Sequence, residues 1–240
     1  MQETIIHNIN IIRQRIKNAC LASNRNENEV ELMLVTKTVD AENIRFALNH
    51  GEILMGENKV QELKQKYDEL KDIPHQAHLI GHLQSNKIKE VLKYVSCIQS
   101  VDGLELAQKI NAQLEKEDKT LDILVQVNSS FEESKFGAEP EQVLELVKEI
   151  SNLKSLKIKG LMTIGIFSDD QEKVRACFKI MRKLQSQIID LNIPNVEMKT
   201  LSMGMSGDLE MAIEEGSTMI RVGTAIFGAR QYLNLSYLQA

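Results

Sequence analysis

Lys37 stands out by its neighbours. It follows Met33-Leu34-Val35-Thr36, so a cation closes an apolar run. A buried ammonium is costly unless it is paired or neutral. Desolvation and nearby cations lower a lysine's pKa, and the free amine is then a nucleophile toward carbonyls. The plainer reading is a lysine whose stem lies on apolar surface while its head stays in water. Two later segments bear on the choice. Ser202-Met203-Gly204-Met205-Ser206-Gly207 and Arg221-Val222-Gly223-Thr224 combine glycines with hydroxyls. Gly204, Gly207 and Gly223 let backbone approach an anion, and Ser202, Ser206 and Thr224 add donors. Ser206 is a candidate N-cap for a helix starting near Asp208. Ordinary turns and caps use the same residue types, and Asp208 and Glu210 would compete with an anion in that first turn. Arg221 could pair with a carboxylate, donate to a ring nitrogen, or form a structural salt bridge.

Other reactive residue types point to less. His75, His78 and His82 are close in sequence, but no HExxH pattern occurs and Gly81 interrupts helical pairing, so zinc is disfavoured. Glu132-Glu133 and Asp169-Asp170 are adjacent pairs whose side chains point apart into solvent. Cys20, Cys97 and Cys177 are odd in number and widely spaced, which gives neither a disulfide framework nor a CxxC site. They read as structural thiols of a cytoplasmic protein. The net charge of -5 carries no basic footprint for nucleic acid. No apolar run approaches the ~18 residues that span a bilayer, and the first residues lack a signal-peptide core.

The elements that would position these residues alternate. A helix with Ile6, Ile9, Ile12 and Ile16 on one stripe is expected over residues 3–22. Strand patterns follow at 30–37, 52–55, 78–81, 97–101, 121–128, 156–164, 196–203 and 218–222. Helix patterns lie between them at 41–49, 60–70, 87–94, 104–114, 140–150, around 174–188 and at 209–214. The helix around 174–188 is the clearest, with Val174, Cys177, Phe178, Met181, Leu184 and Ile188 at helical spacing. A last helical pattern runs over 231–238. Alternating strands and helices demand parallel neighbours joined by crossovers. Eight repeats in 240 residues predict an α/β protein, a single (β/α)8 TIM-type barrel with an extra N-terminal helix. An open doubly wound sheet is the runner-up. Its first turn would normally be glycine-rich, whereas Thr36-Lys37-Thr38-Val39-Asp40 has no glycine. No Pro-rich or Gly/Ser-rich linker divides the chain, so one domain over 1–240 is expected. In such a barrel, Lys37, Asn58, Ser202, Ser206, Arg221, Gly223 and Thr224 would all fall at the C-terminal mouth, where function gathers. Lys59 and Lys87 would fall near it too.

Six ordered motifs then carry a resemblance. They are Val35-Thr36-Lys37, Gly56-Glu57-Asn58-Lys59-Val60-Gln61-Glu62, His78-Leu79-Ile80-Gly81-His82-Leu83-Gln84-Ser85-Asn86-Lys87, Gly160-Leu161-Met162-Thr163-Ile164, Leu201-Ser202-Met203-Gly204-Met205-Ser206 and Arg221-Val222-Gly223-Thr224. In this order they resemble the pyridoxal phosphate homeostasis protein family, whose members are similar to the alanine racemase N-terminal domain. The likeness runs from about residue 8 to 230. It implies that pyridoxal 5′-phosphate is held as a Schiff base on Lys37, with Asn58 near the ring. It also implies that Ser202, Ser206, Gly223 and Thr224 hold the phosphate and that Arg221 faces the pyridine nitrogen. Threonine at 36 and lysine at 59 depart from the family's usual serine and frequent aromatic, and neither change removes an implied ligand.

The resemblance further implies a carrier that has no established catalysis and hands the cofactor to apo-forms of dependent enzymes. Racemases of the related fold are the rival reading. They use a proton donor on each face of the substrate, and here Tyr67, Tyr94, Tyr232 and Tyr237 are the only tyrosines that could supply the second. A monomer is expected, since no helix shows a second apolar face.

Overall fold

In the computed structural model, which describes residues 2–228, eight strands and nine helices alternate along the described chain. In order they are α1 (Gln2–Ala22), β1 (Glu31–Val35), α2 (Ala41–Asn49), β2 (Leu54–Glu57), α3 (Val60–Leu70), β3 (Gln76–Leu79), α4 (Ile88–Val91), β4 (Cys97–Val101), α5 (Leu104–Lys116), β5 (Leu121–Gln126), α6 (Val143–Ser151), β6 (Leu156–Met162), α7 (Gln171–Asp190), β7 (Val196–Ser202), α8 (Leu209–Glu214), β8 (Met219–Val222) and α9 (Thr224–Phe227). The strands pair in sequence order, all parallel, and β8 closes on β1. This is the expected (β/α)8 barrel with its added N-terminal helix. The helical pattern at 231–238 lies outside the described residues.

Strand alternation sorts the core into two compartments. On β1, Leu32 and Leu34 face outward into the large cluster shared with the helices. Met33 and Val35 face the lumen, where they meet Leu54, Ile80 and Met219. Cys97, Leu124 and Met162 fill a second part of the lumen. The three cysteines are all buried and free.

α1 packs along α8, α9 and α2. Its buried stripe is Ile5, Ile9, Ile12 and Ile16, so Ile5 takes the place expected for Ile6. Burying each such isoleucine contributes about 2 kcal/mol. No helix among the described residues is long and apolar enough to cross a membrane.

β2 begins two residues later than the hydropathy pattern suggests, because Glu52 is spent elsewhere. It is buried in the turn before β2 and takes Nε of Arg13 from α1 at 2.8 Å. The strand then runs into Gly56-Glu57, whose polarity hides it from a pattern search. Residues 85–87 and 140–142 form 3-10 turns leading into α4 and α6, which shortens both helices from the expected starts.

Candidate functional site

The strand ends converge on one rim. Lys37 is half-buried in the turn just past β1, two residues beyond Val35, which packs on the lumen cluster. Its backbone is clamped from outside the barrel wall. Lys66 Nζ, on α3, donates to Thr36 O at 2.8 Å, and Thr38 N donates to Glu62 Oε2 at 2.6 Å. Lys66 also reaches Glu57 Oε1 at 2.6 Å and Glu62 Oε2 at 3.2 Å. Thr36 Oγ1 donates to Glu57 Oε1 at 2.7 Å. Glu57 thus faces away from the lumen, and burial raises its pKa against the opposing pull of Lys66. Thr38 adopts φ +62°, uncommon for a β-branched residue, and the clamp holds it there. Asn58, half-buried, follows β2. A Cβ on Gly81 would lie 2.3 Å from Asn58 O, so only glycine lets the end of β3 approach this closely.

β8 stands beside β1, with Met33 opposite Arg221 and Leu34 opposite Val222. Arg221 is 5% exposed. Nη1 donates to Ser202 Oγ at 2.7 Å and Nη2 to Thr163 O at 2.6 Å. Desolvation lowers its pKa to about 10, opposed by the charge of Asp208, so the guanidinium stays a cation at neutral pH. Gly223 comes close to Val35, with a Cβ there only 3.0 Å from Val35 O. Gly223 is the cap residue of α9, a helix not anticipated from the sequence, and Thr224 at its start is exposed.

The turn after β7 depends on Gly204, whose φ is +93° and whose Cβ would meet that of Ala212 at 2.5 Å. Ser206 is half-buried in this turn and is not the cap of α8. Asp208 occupies that position, and its Oδ1 accepts from Met205 N at 2.6 Å. The competition expected from Glu210 is removed because Glu210 Oε1 accepts from Arg15 Nε at 2.7 Å. Burial raises the Asp208 pKa.

Two residues missed as a working group lie below this rim. Gln99, in the middle of β4, is fully buried. Its Oε1 accepts from Ser202 Oγ at 2.7 Å, and its Nε2 lies 2.9 Å from His78 Nδ1. Burial pushes the His78 pKa down to about 4, so the ring is neutral. The signal was a glutamine alternating with Cys97 and Val101 in a strand buried at every position. His82 stacks on Phe136 with centroids 3.9 Å apart and lies 3.6 Å from Asp102 Oδ2, while His50 and His75 sit against the backbone carbonyls of Phe46 and Ile73. Among the described residues no group of three His, Cys, Asp or Glu could hold a metal ion. Tyr67 and Tyr94 pack on each other at 5.1 Å, with Tyr94 against the outer cluster. Tyr232 and Tyr237 lie outside the described residues.

Residues 2–231 match the family described as alanine racemase, N-terminal domain, so the barrel is of that class. Within it, the chain belongs to the pyridoxal phosphate homeostasis protein family. The protein of that name from Haemophilus influenzae is 43% identical over 230 residues, covering 95% of this chain and 97% of its own. That from Aquifex aeolicus is 42% identical over 221 residues, covering 92% and 96%. Among solved structures, PipY of Synechococcus elongatus with PLP bound aligns with TM-score 0.77 and 32% identity, over 90% of this chain and all of that one (100%). An unknown protein from Bifidobacterium adolescentis aligns at TM-score 0.90 and 36% identity, covering 94% and 95%. An alanine racemase of Clostridium difficile shares the fold at TM-score 0.78 but only 16% identity, and this chain covers 57% of it.

Proposed function

We propose that this protein holds pyridoxal 5′-phosphate covalently through Lys37 and serves cofactor homeostasis as a cytoplasmic monomer, releasing the cofactor to apo-forms of dependent enzymes. The observation that carries this is the β1–β8 pairing. It brings a half-buried lysine, a glycine-hydroxyl turn and a buried arginine onto two neighbouring strand ends. The residues fit the group. Gly223 leaves space beside Val35 that a Cβ would fill, Thr224 and Ser206 offer hydroxyls to a phosphate, and Arg221 offers N–H donors inside the lumen. Asn58 flanks the ring.

When bound, the cofactor supplies an electrophilic carbonyl and an electron-withdrawing ring. The chain supplies the rest. The Lys66–Glu62 clamp fixes the backbone on both sides of Lys37, which limits where its amine can reach. Arg221 donates only, so it keeps a ring nitrogen as an acceptor and does not protonate it. Two-base racemisation needs a proton donor on each face, and among the described residues both tyrosines, Tyr67 and Tyr94, pair in the outer layer, which favours a carrier over a racemase.

The test is transfer. Purified protein loaded with pyridoxal phosphate and freed of excess should reactivate an apo-enzyme of this cofactor class, and Lys37→Ala should do so poorly. Steady racemisation of alanine or serine by the wild type, lost in Lys37→Ala, would establish an enzyme instead. Failure of the wild type to retain the cofactor at low micromolar concentration would refute the proposal.

A further inference from the structure

Ser202 is fully buried, unlike Ser206 and Thr224, and it stands within a chain of hydrogen bonds that crosses the lumen from β8 through β7 and β4 to β3. Arginine can only donate, so Ser202 Oγ must accept from Arg221 Nη1 at 2.7 Å. Its one proton then has two possible destinations, and the orientation of Gln99 decides between them. If the Gln99 amide nitrogen faced Ser202, the serine would accept twice and its proton would be left for a phosphate oxygen. The Gln99 oxygen would then take the position assigned to Nε2, 3.1 Å from Met219 Sδ and 2.9 Å from His78 Nδ1, where it would accept only from the Nδ1–H tautomer of the ring. Oxygen and sulfur would face each other lone pair to lone pair, and the second amide hydrogen, now on the Ser202 side, would have no acceptor of its own. With Nε2 there instead, one N–H points to the sulfur and the other to His78 Nδ1 at 2.9 Å. Gln99 Oε1 then receives the Ser202 proton at 2.7 Å. This orientation gives every hydrogen of the amide and of the hydroxyl an acceptor.

Resting on the cofactor reading above, we infer that Ser202, Gln99 and His78 are positioning residues of Arg221, and that Ser202 therefore does not serve the phosphate. A phosphate dianion accepts and cannot donate, and Ser202 has no second proton to give it. The phosphate falls to Ser206, Thr224 and the backbone at Gly223. The ring nitrogen is served by a guanidinium that three polar side chains, on three strands, hold in register.

The test compares pyridoxal phosphate with unphosphorylated pyridoxal, which lacks the group in dispute. Dissociation constants for both are measured on wild type, Ser202→Ala, Gln99→Met, the double variant and Thr224→Val, with circular dichroism and melting confirming the fold of each. Ser202→Ala should weaken both ligands by the same factor, about tenfold for one charge-assisted hydrogen bond. Gln99→Met, which keeps the volume, should do likewise, and the double variant should add little. Both should shift the absorption maximum of the bound cofactor, which reports the ring nitrogen and would not move for a merely structural loss. Thr224→Val should weaken pyridoxal phosphate alone and leave the maximum in place. Ser202→Ala that weakens pyridoxal phosphate while sparing pyridoxal overturns the inference, as does Gln99→Met that matches wild type. Wild type that binds neither ligand overturns the cofactor reading itself.

Discussion

The buried His78 makes the stability of this barrel depend on mild acid in a way that can be isolated. The ring is 8% exposed and its Nδ1 lies against Gln99 Nε2. Burial pushes its pKa down to about 4, against about 6.5 in the unfolded chain. Between those values the unfolded chain binds the proton and the folded one does not, so stability falls as pH drops. The effect is absent above about pH 7 and reaches its full size below pH 4, where both forms are protonated. Linkage between the two values gives a loss of roughly 2 kcal/mol between pH 7 and 5 from this one ring. Other groups also titrate in that range, and Glu57 and Asp208, with raised values, contribute with the opposite sign. A difference measurement removes them. In His78→Asn the amide oxygen can accept from Gln99 Nε2 in place of Nδ1, and nothing at that position titrates. Urea unfolding of both proteins at pH 7, 6 and 5 should show the wild type losing roughly 2 kcal/mol more than the variant over the range. Parallel curves would refute the reasoning, because they would mean that His78 carries its proton equally well folded and unfolded.

Gly204→Ala should lower stability by about 2 kcal/mol or more, since φ of +93° and a 2.5 Å approach to Ala212 Cβ both oppose a side chain. Gly207→Ala, with nothing within 4 Å of its Cβ, should change the melting free energy by less than about 0.5 kcal/mol. Equal effects at the two positions would contradict this account of the turn. Lys66→Met should cost about 3 kcal/mol or more at pH 7, because it leaves Glu57 buried beside Glu62 without a cation. That cost should shrink in acid, where Glu57 can take a proton, and a denaturation series from pH 7 to pH 5 reads it.

Much of this was legible because strand chemistry is local. Met33-Leu34-Val35 and Leu121-Asp122-Ile123-Leu124-Val125 announce strands by content alone, and the helix around Val174 and Ile188 announces itself by spacing. Six ordered motifs carried the family. What the sequence hid depends on contacts far along the chain. Glu52 belongs to Arg13 and Glu210 to Arg15, pairs that fix a strand start and clear a turn without leaving any local pattern. Ser206 has the chemistry of a cap, but Asp208 stands one residue before the helix and takes the position. Gln99 and Ser202 lie 103 residues apart in sequence, and no local pattern says that one's proton is committed to the other.

The central claim is that Lys37 is the point of attachment. Pyridoxal phosphate added to the purified protein should give an imine absorbance band. After borohydride reduction and digestion, the pyridoxyl label should map to the peptide that contains Lys37. Label that falls instead on Lys59, Lys87 or scattered surface lysines, with Lys37 unmodified, would contradict the account and leave the glycine-hydroxyl turns to some other anion.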